Sequence, residues 1–169
     1  MSRDTTLYYF EPNGFIPNHP TLPVLHYKQV LKNSENNMGK IFRSHNWGNS
    51  WVDGVFPYHH YHSNSHEVLG IMKGSALLQI GGEQGSKIIL HAGDVLLLPA
   101  GTGHKKLSAT PDLQVIGAYP NGQHYNTRRD TEEDFRVAMA EIENAPFPQE
   151  DPVFGKRGPL IEIWTRIKD

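Results

Sequence analysis

Gly54-Val55-Phe56-Pro57-Tyr58-His59-His60-Tyr61-His62-Ser63-Asn64-Ser65-His66-Glu67, running on to Gly74, decides how this chain is read, and Gly93-Asp94-Val95-Leu96-Leu97-Leu98-Pro99-Ala100-Gly101-Thr102-Gly103-His104 answers it further along. In an extended segment alternate side chains share a face, so His60 and His62 look the same way with Cα atoms about 6.6 Å apart. Tyr61 points elsewhere. Ser63-Asn64-Ser65 reads as a short polar turn, after which a second extended run carries Glu67 toward the same point. The later stretch is an apolar strand closed by a Pro-x-Gly turn, where Gly101 and Gly103 permit the sharp reversal that returns His104 inward. Three imidazoles and one carboxylate, with no thiol, suit one divalent transition metal per chain: iron, manganese, nickel or zinc.

The first stretch resembles the first cupin motif, glycine, five residues, His-x-His, four residues, glutamate, six residues and glycine, at every position from Gly54 to Gly74. The second resembles the second cupin motif at Gly93, Pro99, Gly101 and His104; Ser108 stands where that motif usually ends in asparagine, a structural position in the family. Ile16-Pro17-Asn18-His19-Pro20 and Gly158-Pro159-Leu160-Ile161-Glu162-Ile163-Trp164 extend the likeness over nearly the whole chain, which is similar to the small bacterial YjlB-like cupins. The resemblance implies an all-β, double-stranded β-helix (a jelly-roll barrel), metal ligands His60, His62, Glu67 and His104, and a homodimer. It does not name a substrate.

The rest of the chain fits that frame. With 169 residues and 37% hydrophobic content it suits one cupin domain over 1–169: an arm and a short helix in 1–50, the barrel core in 51–120, then a helix and a returning strand in 121–169. A net charge of −2 leaves no electrostatic footprint for nucleic acid or an anionic membrane. The absence of cysteine removes disulfides and thiolate sites. No apolar leader or spanning run is visible, so a cytoplasmic location is expected. Prolines at 12, 17, 20 and 23 forbid a helix there and predict a proline-rich extended arm, anchored by residues such as Phe15, Ile16 and Leu22. Ser34 is read as the N-cap of a short helix through Met38, Ile41 and Phe42.

Strands are expected at 51–62, 67–72, 76–80, 87–90, 95–98, 105–109 and 113–119, a regular spacing that argues a two-sheet or closed antiparallel architecture. Thr131-Glu132-Glu133-Asp134 reads as a capping box for a helix carrying Phe135, Ala138, Met139 and Ile142. The alternation of Ile161, Ile163 and Ile167 predicts that the C-terminal run rejoins a sheet as a strand.

His19, His26, His45, His59, His66, His91 and His124 are read as ordinary surface or hydrogen-bonded residues, with His59 facing away from His60 and His66 turned aside from the site. Tyr58 shares the His60 face, as a core aromatic or as an acid inside the cavity. If the ion is six-coordinate, two positions stay open, as a metalloenzyme acting on a small oxygenated substrate needs; cupin dioxygenases, isomerases and decarboxylases are the analogies. The other class is a non-catalytic small-molecule-binding or structural metal domain. Expected partners are a small molecule and a second copy of the chain.

Overall fold

The computed structural model describes residues 5–168. Its strands are β1 (Thr5–Tyr8), β2 (Val24–Tyr27), β3 (Trp47–Asp53), β4 (His60–Tyr61), β5 (Glu67–Lys73), β6 (Ser75–Ile80), β7 (Ser86–His91), β8 (Val95–Leu98), β9 (His104–Ala109), β10 (Gln114–Pro120) and β11 (Arg128–Arg129). Three helices join them, α1 (Met38–Ser44), α2 (Glu132–Glu143) and α3 (Pro159–Lys168), with one 3-10 turn at Glu35–Asn37. The strands form a six-stranded sheet, β1-β2-β8-β5-β10-β3, and a five-stranded sheet, β11-β4-β9-β6-β7, antiparallel at each named pairing. This is the cupin jelly roll that the two motifs imply. Among the described residues no helix is long and apolar enough to cross a membrane.

The inner strands of the six-stranded sheet are buried on both faces, which explains why Val95–Leu98 is apolar at every position instead of alternating with polar residues. Leu96 and Leu98, with Leu69, Ile71 and Val115, meet Leu78, Ile80, Ile88 and Leu90 of the facing sheet in the inner core. Val95 and Leu97, with Val68, Ile116 and Leu25, face outward onto Met38 and Phe42 of α1 and Leu160 and Trp164 of α3. Gly70 lets α1 come this close: a Cβ there would sit 2.6 Å from Met38 Sδ and 3.1 Å from Phe42 Cζ. α2 closes one end, burying Ala138 and Ile142 against Ile16, Tyr61 and Ala100.

Several expectations change. Residues 51–62 are not one strand. β3 and β4 belong to different sheets, and the chain crosses between them through Gly54–His59, where Gly54 and Pro57 interrupt pairing. Strands β1, β2 and β11 had no recognised signal, and the helices number three where one or two were expected. Ser34 precedes the 3-10 turn without a side-chain capping bond. Thr131 does cap α2, its hydroxyl accepting the Asp134 N–H at 3.2 Å.

The C-terminal strand is overturned. Residues 159–168 form α3, because Pro159 starts a helix well and Leu160 and Trp164, four apart, share the buried stripe. The apolar outer face of the six-stranded sheet needs cover, and a helix supplies it. Trp164 Nε1 donates to Pro23 O at 3.0 Å. At the other end, the fully buried Asp151 accepts the Leu160 N–H (3.2 Å) and the Tyr27 hydroxyl (2.5 Å) on one oxygen, and the Val153 and Phe154 N–H groups (2.8 and 3.1 Å) on the other. It thus satisfies an amide that the first turn of α3 leaves free.

Asp151→Ala should therefore cost about 3 kcal/mol or more, since it strands several buried donors at once. Urea unfolding measures this; a loss below about 1 kcal/mol would mean that apolar contact alone docks α3.

Candidate metal centre

The inward face of the five-stranded sheet is apolar along β6, with Leu78 and Ile80, and becomes basic on its neighbour β9. His104 lies opposite Ile80 and Lys106 opposite Leu78, while on the other side His104 pairs with His60 of β4. Two positions beyond His60, His62 is also buried, and one ring nitrogen from each of His60, His62 and His104 lies within 4.8 Å of the others. From the facing sheet Glu67, first residue of β5, projects on the same side as Leu69 and Ile71. Its Oε2 lies 3.3 Å from His62 Nε2 and its Oε1 3.3 Å from His104 Nε2. The four residues expected from the sequence are therefore brought together.

The ring protons are committed elsewhere. His60 Nδ1 donates to Tyr58 O (3.1 Å), His62 Nδ1 to Asn126 O (2.5 Å) and His104 Nδ1 to Thr102 O (3.0 Å). A carbonyl can only accept, so each Nδ1 carries hydrogen and each neutral ring presents its bare Nε2. Glu67 Oε1 is buried with no hydrogen-bond partner. With the rings neutral, three nitrogen lone pairs and a carboxylate converge, an arrangement that a cation relieves. The electrostatics show the same demand for positive charge, which a proton on an imidazole meets when no metal does. Burial opposes charge on His62, but the Glu67 carboxylate outweighs it and raises the imidazole above its ordinary value. Burial would also raise Glu67, yet His62 and His104 hold it well below the usual carboxylate range. His60 is pushed down, by burial and then by His104. The donor set fits a divalent transition metal.

Glu67 is held by a chain of hydrogen bonds. Tyr119 donates its hydroxyl to Glu67 Oε2 at 2.5 Å, and Trp51 Nε1 donates to the Tyr119 oxygen at 2.8 Å. Burial, then the adjacent carboxylate, pushes the Tyr119 hydroxyl far above its ordinary value, so it stays a donor. The segment carrying Asn126 is clamped as well: Asn126 Oδ1 accepts the Ser63 N–H (2.8 Å), and Arg128 joins Ser63 to Glu141 and Asp134 of α2. Helix α2 thereby braces His62 from outside the barrel.

The four residues form the floor of a cavity of about 480 Å³. Trp51, Leu69, Lys106, Tyr119 and Tyr125 line its walls, and Val52, Asp53, Phe56 and Thr127 its exposed mouth. Tyr58 is not among the lining residues. Its ring stacks on Phe56 (centroids 5.0 Å apart) and lies 3.6 Å beneath the Arg129 guanidinium, so the hydroxyl placed against the site is that of Tyr119. His59 turns away to Glu83 at 2.9 Å. His66 turns to the opposite face of β5, where burial and then His19 push it down to about 3 and it accepts the Ala100 N–H at 2.9 Å. Lys106 and Tyr119 carried no sequence signal beyond inward alternation on β9 and β10, and Tyr125 and Asn126, in the segment between β10 and β11, carried none.

The chain is similar to several known proteins. A cupin domain model matches residues 51–112. Over 166 residues, 98% of this chain and 100% of the relative, the sequence is 46% identical to the "Uncharacterized protein YjlB" of Bacillus subtilis (strain 168). Among solved structures, the QdtA 3,4-ketoisomerase from Thermoanaerobacterium thermosaccharolyticum, in complex with TDP, is 15% identical with a TM-score of 0.47, over 83% of this chain and 97% of that one. Acireductone dioxygenase from Bacillus anthracis, with a cadmium ion in its active centre, is 19% identical with a TM-score of 0.36, over 55% and 62%.

Tyr119→Phe removes one hydrogen bond to a buried carboxylate and the acceptor of Trp51. Metal-free protein should lose about 1–3 kcal/mol in urea unfolding, and an unchanged midpoint would show that Glu67 does not depend on the hydroxyl.

Proposed function

The chain belongs to the YjlB-like small bacterial cupins, and we propose that it is a metalloenzyme holding one divalent transition metal through His60, His62, Glu67 and His104 and acting on a small oxygenated substrate. The observation that carries this reading is the position of the donors. They form the floor of a cavity that opens to solvent and is large enough for a small organic molecule. A metal that merely tied strands together would have no use for that space, whereas a catalytic one needs it. Iron, manganese, nickel and zinc all suit imidazole and carboxylate donors. Bound there, such an ion would supply Lewis-acid polarisation of a substrate oxygen, as dioxygenase, isomerase and decarboxylase chemistry uses.

The protein's own part is orientation and exclusion. Carbonyls of Tyr58, Thr102 and Asn126 aim the three imidazoles, Tyr119 and Trp51 fix Glu67, and Leu69, Phe56 and Tyr125 wall the space with apolar surface. We also propose a homodimer, because β1, β3 and β7 lie at sheet edges and Leu7, Tyr9, Val52 and Ile89 are exposed.

Protein purified without added metal should contain one transition metal per chain by elemental analysis. His62→Ala and His104→Ala should lose most of it, and His59→Ala should keep it. Azide should then change the visible spectrum of the cobalt-loaded wild type. Equal metal retention in all three variants would overturn the ligand set, and a fully loaded centre indifferent to azide would return it to a structural role. Sedimentation at micromolar concentration should show the dimer; a monomer there removes it.

A further inference from the structure

The cavity contains a charge that the metal reading leaves unused. Nearly every polar group lining it is already engaged: the Trp51 N–H on Tyr119, the Tyr119 hydroxyl on Glu67, and the three imidazole Nδ1 protons on backbone carbonyls. Asp53 is at the exposed mouth, where its Oδ1 accepts the Gly54 N–H. Among the described residues the lining groups without a hydrogen-bond partner are Glu67 Oε1 on the floor, the Lys106 ammonium and the hydroxyls of Tyr125 and Thr127, and Lys106 is the one lysine or arginine of the lining.

Lys106 is placed by the fold. It faces inward opposite Leu78, two positions beyond His104 on the same strand, and its N–H bonds to Phe56 O at 2.9 Å, fixing the backbone of β9 to the crossing segment at the mouth. The two Cα atoms are therefore about 6.6 Å apart along the wall. Lys106 is half-buried, and the Lys and Arg salt bridges among the described residues are those of Arg128 and Arg136. An ammonium that is partly desolvated without a carboxylate partner is stabilised by an anion arriving with the ligand.

We propose that the cavity selects a small carboxylic acid, with Lys106 taking the carboxylate while the hydrocarbon body rests against Phe56, Trp51 and Tyr125 and the far end reaches the His60–His62–Glu67–His104 floor. This rests on the reading of the cavity as the substrate site and not on which metal occupies it. A single ammonium balances a monoanion. The lining holds no arginine, the residue whose planar fork would suit a phosphate dianion bidentately. Lys106 is thus a specificity-determining residue, set one side-chain length above the floor.

Benzoate, benzamide and phenyl phosphate serve as probes for calorimetric titration of wild type, Lys106→Met and Lys106→Arg, each as purified and after chelation, with metal content measured on the same samples. Wild type should bind benzoate about tenfold more tightly than benzamide in both forms, and added salt should weaken only the benzoate. Lys106→Met should bring benzoate down to the benzamide level without changing benzamide itself, and Lys106→Arg should keep most of the preference. Failure of wild type to bind benzoate, an unchanged preference in Lys106→Met, or tighter binding of phenyl phosphate would each overturn the proposal. Because the chelated arm needs no metal, a wild type that carries none but prefers benzoate sinks the metalloenzyme reading alone. A loaded protein with no preference sinks only the role of Lys106.

Discussion

The rest of this structure answers to one buried charge. Glu67 is 2% exposed and ionised between two sheets, a placement that would cost several kcal/mol without compensation. The Tyr119 hydroxyl compensates one oxygen, and the imidazoles of His62 and His104 at 3.3 Å do so only by sharing a proton or a cation with the carboxylate. Each compensating group is held in turn. Trp51 fixes Tyr119, and backbone carbonyls fix the ring tautomers, so the four donors cannot relax away from one another. A cation-seeking centre results because every cheaper way of satisfying the carboxylate has been closed off.

Such a centre needs a rigid frame, which the inner strands of the six-stranded sheet, buried on both faces, provide. Glu67 and Tyr119 stand on adjacent strands of it, β5 and β10, whose outer face is sealed by α1 and α3. The five-stranded sheet carries the imidazoles and has its own brace in α2, through Arg128, Ser63 and Glu141. The two halves of the donor set therefore come from opposite layers and meet only because the layers pack. Between them the Gly54–His59 crossover leaves the chain's own walls around an open space, and the same strand that supplies His104 supplies Lys106 to that space.

Much of the site was legible in the residues. The His60/His62 pair and Glu67 follow from period-two alternation and a short polar turn, which depend on backbone dihedrals of neighbouring residues and so are written locally. The Thr131 cap of α2 is local for the same reason, as is the His104 ring bond to a carbonyl two residues back. Around residue 160 two local periods coexisted. Ile161 and Ile163 alternate as in a strand, while Leu160 and Trp164 repeat as in a helix, and nothing within the segment chooses between them.

By itself, then, the sequence determined an antiparallel β architecture and, through its likeness to the cupin motifs, the jelly-roll class and the candidate ligands, because glycine turns, alternation and metal-binding residue types act over a few positions. Only the tertiary structure decided that the chain after Gly158 is a helix, since that depends on an uncovered sheet face and on Asp151 waiting for the Leu160 N–H. It also decided that the hydroxyl bonded to Glu67 is that of Tyr119 and not of Tyr58, and that Lys106 enters the cavity. Tyr119 lies 52 positions from Glu67, and Asn126 lies 64 from His62. Contacts at that separation are set by which sheets face each other, and no local period encodes the facing.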